Sequence, residues 1–294
     1  MPRRTSSRTN PYAGATAIVT GGASGIGRAM GARLAELGAN VVLADQHGDA
    51  ARVAALEIAS AGSSFVEGRQ LDVRELGAFT ELVDDVARRT GAIDYLFNNA
   101  GVSIGGPTHE MTEEHWRLVL DVNLCGVING VLAVYPKMVE RRWGHIVNTA
   151  SAAGLVAPPM VAGYATTKFA VVGLSTGLRP EAALHDVKVS VICPGMVETP
   201  ILDALPPPEL APTPSASVSA RDYLTLARQK PMPADEFARK ALDEVAKDRA
   251  IIVVPRSAAT LWYLNRVSPE FVQRVGRTIA RQVDKRLIRE RPGT

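Results

Sequence analysis

From residue 15 onward, short β-branched apolar runs alternate with Ala-, Leu- and Arg-rich stretches whose apolar positions recur every three to four residues. The first pattern reads as strands and the second as amphipathic helices. The strand candidates are Thr16 to Thr20, Val41 to Asp45, Phe65 to Val73, Ile93 to Asn98, His145 to Thr149, Val187 to Cys193 and Ile251 to Val254. Most of these are apolar along their whole length, which a strand tolerates only when both of its faces are covered. The expectation is therefore an α/β fold: a doubly wound parallel sheet of about seven strands with helices on both faces. Between Pro194 and Pro231 the regularity breaks, and Ala204 to Ala220 is too rich in proline and serine for helix or strand. A long irregular segment after a C-terminal strand end is expected to be a mobile lid, with a disordered insertion as the alternative.

The first strand runs into TGGASGIG, Thr20 to Gly27, and a helical pattern begins at once with Arg28, Met30, Leu34 and Leu37. Strand, glycine turn and helix together form the Rossmann-type setting for a pyrophosphate. Gly21 makes the tight turn, Gly25 admits the phosphates to the backbone amides, and Gly27 lets helix and strand pack closely. A bare glycine turn carries little weight, but eighteen residues after Gly27 the second strand ends on Asp45. A carboxylate there accepts hydrogen bonds from both ribose hydroxyls of an adenosine and repels a 2′-phosphate. Gln46 follows in place of an arginine and the glycine turn holds no basic residue, so NAD is expected in preference to NADP. The competing reading makes Asp45 a cap for the helix that follows it.

The 294 residues are 46% hydrophobic, enough for a full core. A net charge of +3, spread over 33 basic and 30 acidic side chains, points to no nucleic-acid partner. Cys125 and Cys193 have no second cysteine or histidine at ligand spacing, so neither a disulfide framework nor a metal site is expected. The opening MPRRTSSRTN is basic but lacks the apolar run of a secretory signal. No stretch approaches about 18 uninterrupted apolar residues. The expectation is a soluble, cytoplasmic protein, with an organellar transit peptide as the alternative.

Set in order, the motifs are TGGASGIG at Thr20, Asp45, LDV at Leu71, NNAG at Asn98, VNLCG around Asn123, Ser151, YATTK from Tyr164 to Lys168, and CPGMVETP from Cys193. In this order and spacing the chain resembles the short-chain dehydrogenase/reductase family over about Ala15 to Pro200. That resemblance implies an NAD-dependent oxidoreductase with Asn123, Ser151, Tyr164 and Lys168 as the catalytic set. It also implies a cofactor site built from Gly21, Ser24, Gly25, Ile26, Gly27, Asp45, Asp72, Val73, Asn99, Ala100, Gly101, Tyr164, Lys168, Pro194, Gly195, Val197 and Thr199. Asp72 matches the family's contact to the adenine amino group, and Lys168 its contact to the nicotinamide ribose. Val197 and Thr199 match its contacts to carboxamide and pyrophosphate, and Asn123 the residue that holds a lysine-linked water. The expected organisation is a disordered basic tail to residue 12, a dehydrogenase/reductase domain over 13–256 with its mobile lid at about 197–230, and a helical extension over 257–294.

The chemistry has a physical basis beside the resemblance. Tyr164 and Lys168 stand four residues apart in a helical segment and so leave one face. An ammonium about 4 Å from the phenol oxygen, at an effective dielectric near 20, favours phenolate by up to roughly 4 kcal/mol, about three pKa units. A tyrosine brought near neutrality can serve as a general acid/base. Ser151 ends the strand HIVNTAS, where its hydroxyl can donate to a substrate oxygen; such a donor is worth about 2 to 4 kcal/mol to a developing alkoxide. Thr149 is read as structural, and Pro180 is expected to kink the catalytic helix. The apolar Ala152, Ala153, Leu155, Val156 and Met160 favour a hydrophobic secondary alcohol or ketone, a steroid or another lipid-like substrate. Two other readings stay open: an NADPH-dependent ketoacyl reductase, and a catalytically silent NAD(H)-sensing regulator. A homodimer or homotetramer is expected through the helices of Asn123 and Tyr164.

Beyond this core, Val275, Ile279, Val283 and Leu287 recur every four residues, and Arg277, Arg281, Lys285 and Arg289 follow with the same step offset by two. Such a helix packs on its own core with a solvated basic face, or it lies on an anionic membrane surface or a partner subunit.

Overall fold

The computed structural model describes residues 10–59, 65–204, 210, 220–221 and 230–290, except for the side chains of 286–290. Most of the proline-rich stretch read as a lid, and the first nine residues of the basic tail, lie outside the described residues.

Seven strands form one parallel sheet: β1 (Thr16–Thr20), β2 (Asn40–Asp45), β3 (Val66–Gln70), β4 (Tyr95–Asn98), β5 (Gly144–Thr149), β6 (Val187–Pro194) and β7 (Ile251–Val254). Their spatial order is β3-β2-β1-β4-β5-β6-β7, so the order reverses between β1 and β4. Crossover helices connect them, among them α1 (Gly25–Glu36), α2 (Gly48–Ala59), α3 (Leu76–Thr90), α4 (Glu113–Leu120), α5 (Gly126–Arg141), α6 (Ala162–Ala183) and α7 (Ala234–Ala246). Two further helices, α8 (Ser257–Val267) and α9 (Pro269–Glu290), follow β7.

The uninterrupted apolar strands are explained by packing on both faces. Successive residues of β1 point to opposite sides: Ala17 and Val19 join Met30 and Leu34 of α1 and Phe237 of α7. Ile18 joins Phe79 of α3 and Val134 and Met138 of α5. The exception is β3, VEGRQ, a polar sheet edge, and it stops at Gln70 instead of reaching Val73 because its partner β2 ends at Asp45, opposite Gln70.

Helices α4 and α5 are joined by a π-helical turn, Asp121–Cys125, into one run long and apolar enough to cross a membrane by length and composition. Here α5 packs against α3 and against β4 and β5, and Val127, Val131, Ala133, Val134 and Met138 are buried in the core, while Ile128 and Leu132 stay exposed. Helix α6 runs from Ala162 to Ala183 with Pro180 inside it. Arg179 beside the proline donates to the carbonyls of Val189 and Asp248, tying that end of the helix to β6.

The last residues assigned to the tail are held in the fold. Asn10 donates to the Leu37 carbonyl at 2.8 Å, and Tyr12, 2% exposed, donates its hydroxyl to the Leu242 carbonyl of α7 at 2.7 Å. A large aromatic side chain with a polar tip can bury its ring once that tip has a partner, which the basic composition of the segment did not reveal. Replacing Tyr12 by alanine is expected to cost about 3–5 kcal/mol, whereas Tyr12→Phe should cost only about 1 kcal/mol. Urea unfolding midpoints at unchanged slope check both values.

Candidate active site

The carboxyl ends of β1, β4, β5 and β6 meet at the switch point, where open parallel sheets bind ligands. The turn after β1 is shaped by what its glycines exclude. Gly21 has φ +64°, and a Cβ there would stand 2.9 Å from the Ala100 Cα. A Cβ on Gly27 would stand 2.1 Å from the Gly21 carbonyl oxygen, so the first turn of α1 can lie against β1 only without a side chain. Ser24 is the N-cap of α1 but makes no side-chain cap bond, and the first turn carries no acidic residue. The amides of Gly25, Ile26 and Gly27 are thus free of a capping carboxylate, the condition a pyrophosphate needs. Gly25 faces Thr199, whose Cβ would be 3.2 Å from an added Cβ, so Thr199 forms the opposite wall of this cradle.

Asp45 is partly buried at the end of β2, and its two carboxylate oxygens accept from the amides of Ala23, at 3.1 Å, and His47, at 3.0 Å. Each oxygen keeps a second lone pair, so the carboxylate that steadies the glycine turn can also accept from ribose hydroxyls. Asp72 is less free. Arg74 grips both of its oxygens through Nε, at 2.9 and 3.0 Å, and the Arg74 amide donates a further bond. This holds the Asp72 carboxyl below its ordinary range. Arg74 was not singled out in the sequence, although its place two residues after Asp72 was the available signal. Val73 is buried against Gly126.

The loop after β4 is locked from two sides. The Thr20 hydroxyl accepts from the amides of Asn99 and Ala100, and Asn99 Nδ2 donates to the Thr20 carbonyl at 3.0 Å. On the other side the buried Asn123 amide exchanges a pair of bonds with Val102, accepting from its N–H at 2.8 Å and donating to its carbonyl at 2.9 Å. Asn123 also donates to the Thr167 hydroxyl. It lies in the π-helical turn between α4 and α5, and such local widening recurs at functional sites. Gly101 lies between these anchors, and a Cβ there would sit 3.2 Å from Asn123 Oδ1 and 3.4 Å from Lys168 Nζ.

Ser151 caps the short turn Ala152–Gly154, its oxygen accepting from the Ala153 amide at 3.1 Å, and it hydrogen-bonds the Tyr164 hydroxyl. Tyr164 is half-buried on the first turn of α6. Lys168 is 3% exposed; its ammonium donates to the Thr149 carbonyl at 3.0 Å and stands 5.6 Å from the centre of the Tyr164 ring. Tyrosine, lysine and serine therefore do converge, and Thr149 enters as the carbonyl that anchors the ammonium.

The electrostatics differ from the sequence expectation. Burial pushes the Tyr164 phenol up, opposed by the Ser151 hydrogen bond, and Lys168 does not bring it toward neutrality. The ammonium lies under the ring and is directed at Thr149, not at the phenol oxygen. Burial also lowers Lys168 from 10.5 to about 8. The buried Cys193 thiol, beside both groups, is pushed up to about 12 and stays protonated.

Past β6, Gly195 donates to the Val254 carbonyl at 2.7 Å, and Val197 pairs with Met232. Pro194 is the last residue of β6, which places this bend beside the cradle. Leu155, read as a pocket wall, instead belongs to the core with Val127, Val171 and Val191, and Ala153 is buried as well. Ala152, Val156 and Met160 remain partly exposed. Met160, at φ +62°, accepts from the Gly106 amide and carries Ile279 and Val283 of α9 against it.

The family model for short chain dehydrogenase matches residues 15–209. A 1-deoxy-11-beta-hydroxypentalenate dehydrogenase from Streptomyces exfoliatus is 38% identical over 213 residues, covering 71% of this chain and 77% of that protein. A D-beta-hydroxybutyrate dehydrogenase from Rhizobium meliloti is 36% identical over 189 residues, 64% of this chain and 73% of that protein. The crystal structure of a short chain dehydrogenase/reductase from Burkholderia phymatum in complex with NAD superposes with a TM-score of 0.81 at 33% identity, covering 88% of this chain and 95% of that one.

Lys168 makes the site's electrostatics measurable. Between about 8 and 10.5 the unfolded chain still holds the proton that the folded chain has released, so folding gains stability as pH rises through this window. From about pH 7.5 to about pH 9.5 the unfolding free energy should rise by about 2 kcal/mol. Urea titrations of Lys168→Met, which has no proton to release, should lose this slope.

Proposed function

Because the chain belongs to the short-chain dehydrogenase family, we propose that it interconverts a hydrophobic secondary alcohol and its ketone, with Tyr164 as the acid/base catalyst. It is an NAD-dependent oxidoreductase. The observation that carries the finer reading is the convergence of Ser151, Tyr164 and Lys168 on the switch point beside the glycine cradle. The Gly21 to Gly27 turn and Thr199 would hold the pyrophosphate, Asp45 the adenosine ribose, and Lys168 the ribose next to the nicotinamide. When bound, NAD supplies the carbon that takes or gives the hydride, together with the positive charge of its oxidised ring.

The protein's own groups handle the proton and the oxygen. In oxidation, Tyr164 accepts the hydroxyl proton of the alcohol; in reduction it returns that proton to the carbonyl oxygen. Its phenol is protonated in the free protein, which is the form reduction requires. Ser151, oriented by the Ala153 amide, donates to the same substrate oxygen as charge develops on it. Lys168 keeps a positive charge below about 8, and Asn123 holds the loop that bounds it. The partly exposed Ala152, Val156 and Met160, with Ile279 packed on Met160, support an apolar substrate. Exposed Ile128 and Leu132 on α5 and Phe169 on α6 support a homo-oligomer built on those helices.

Tyr164→Phe is expected to lower turnover by about 10²- to 10⁴-fold while NAD binding stays within a fewfold of the parent. A screen of alcohols and ketones by NADH absorbance supplies the substrate, and a Phe variant with near-parental turnover would sink the mechanism. Asp45→Ala should raise the Michaelis constant for NAD and narrow its preference over NADP. Comparison of kcat/KM with the two cofactors measures this, and an unchanged ratio contradicts the ribose assignment.

A further inference from the structure

The helix pair α8 and α9 after the sheet has an unusual distribution of apolar and charged side chains. On α8, Ala258, Trp262 and Asn265 are partly buried, whereas the outward side carries Leu261, Tyr263, Leu264 and Val267, the last 85% exposed. A soluble surface helix normally places its apolar stripe inward. One residue, Ser268, separates α8 from α9, whose first two turns expose Phe271 and Val275. Six large apolar side chains are thus exposed within fifteen residues.

Basic residues accompany them. Residues 256–285 hold six basic side chains and two acidic ones, Glu270 and Asp284. Arg266, Arg274, Arg277, Arg281 and Lys285 make no ion pair among the described residues, and Arg266 lies over the Trp262 ring. The sequence stripe divides: Val275 belongs to the exposed face, whereas Ile279 and Val283 turn inward. Val283 is 2% exposed and packs with Ile279 on Met160, so this part of the helix serves the protein's own interior. What stays outside is the face of α8 and the start of α9, bordered by arginines.

We propose that this face docks on an anionic lipid surface. Apolar side chains flanked by arginines that make no ion pair among the described residues match the boundary between acyl chains and negatively charged headgroups. A second copy of the chain fits less well, because a two-fold contact would bring the same basic surface against itself. The proposal stands apart from the redox chemistry, and its test does not require turnover.

Full-length protein is sedimented with phosphatidylcholine vesicles and with vesicles that also contain phosphatidylserine, at low and at high salt. Binding is expected to the phosphatidylserine vesicles at low salt and to weaken as salt rises. The double variants L264D/V267D and R274E/R277E should each reduce partitioning by about tenfold or more. All four positions are exposed, and circular dichroism and thermal midpoints establish that the variants remain folded. Wild-type protein left in the supernatant, or equal binding to both kinds of vesicle, overturns the proposal. So does self-association in sedimentation velocity that L264D/V267D abolishes without any vesicle binding, which would assign the face to a second copy of the chain.

Discussion

A nearly inaccessible ammonium organises the site. An unpaired charge is costly to bury, and Lys168 meets that cost with a carbonyl from the neighbouring strand end and a lowered affinity for its own proton. The surrounding backbone must come close for this to work. A Cβ on Gly154 would stand 2.5 Å from the Lys168 carbonyl oxygen, so the turn that carries Ser151 can approach α6 only at a glycine. Gly101 leaves room in the same way on the other side, between Lys168 and Asn123. The serine, the tyrosine and the loop after β4 therefore take their places around one charge, brought there by the ends of β4 and β5 and the first turn of α6.

The sheet supports this arrangement by being buried on both faces. Strands covered by α1 and α7 on one side and α3 and α5 on the other have little freedom to slide, since a shift of one residue would turn an apolar side chain toward the wrong layer. Rigid strands then present their carboxyl ends at fixed spacing, and short side-chain clamps finish the work. Thr20 holds the start of the loop after β4, and Asn123 holds its far end through two backbone bonds. Because Asn123 sits in a π-helical turn, the same local widening that joins α4 to α5 also supplies the amide.

The C-terminal helices link the interior of the fold to its surroundings. Part of α9 closes over Met160, four residues before Tyr164, and so lies near the start of α6. The outward face of α8 and the first turns of α9 have no such partner among the described residues. One short stretch of chain thus bounds the region of the site and presents an apolar, basic surface to whatever the protein meets.

The pattern of the sequence located all seven strands, most of them as runs apolar on both sides, which can be buried only in a covered parallel sheet; the polar edge strand β3 was placed within a longer Phe65 to Val73. The spacing of glycines, Asp45, Tyr164 and Lys168 marked the residues that meet at its edge. Both kinds of signal are local: a strand's pattern and a helix's four-residue step are written in consecutive residues. What depends on through-space neighbours was not legible there. Whether Lys168 faces the phenol or the Thr149 carbonyl, whether Leu155 lines a pocket or fills the core, and whether Asp72 is free or gripped by Arg74 are decided by side chains that converge only after folding. The same holds for Tyr12, whose burial depends on a carbonyl 230 residues away, and for the C-terminal stripe, whose inward half is set by Met160. Sequence determined the elements and the chemical groups; tertiary structure decided which groups touch, and so the charge state and exposure of each.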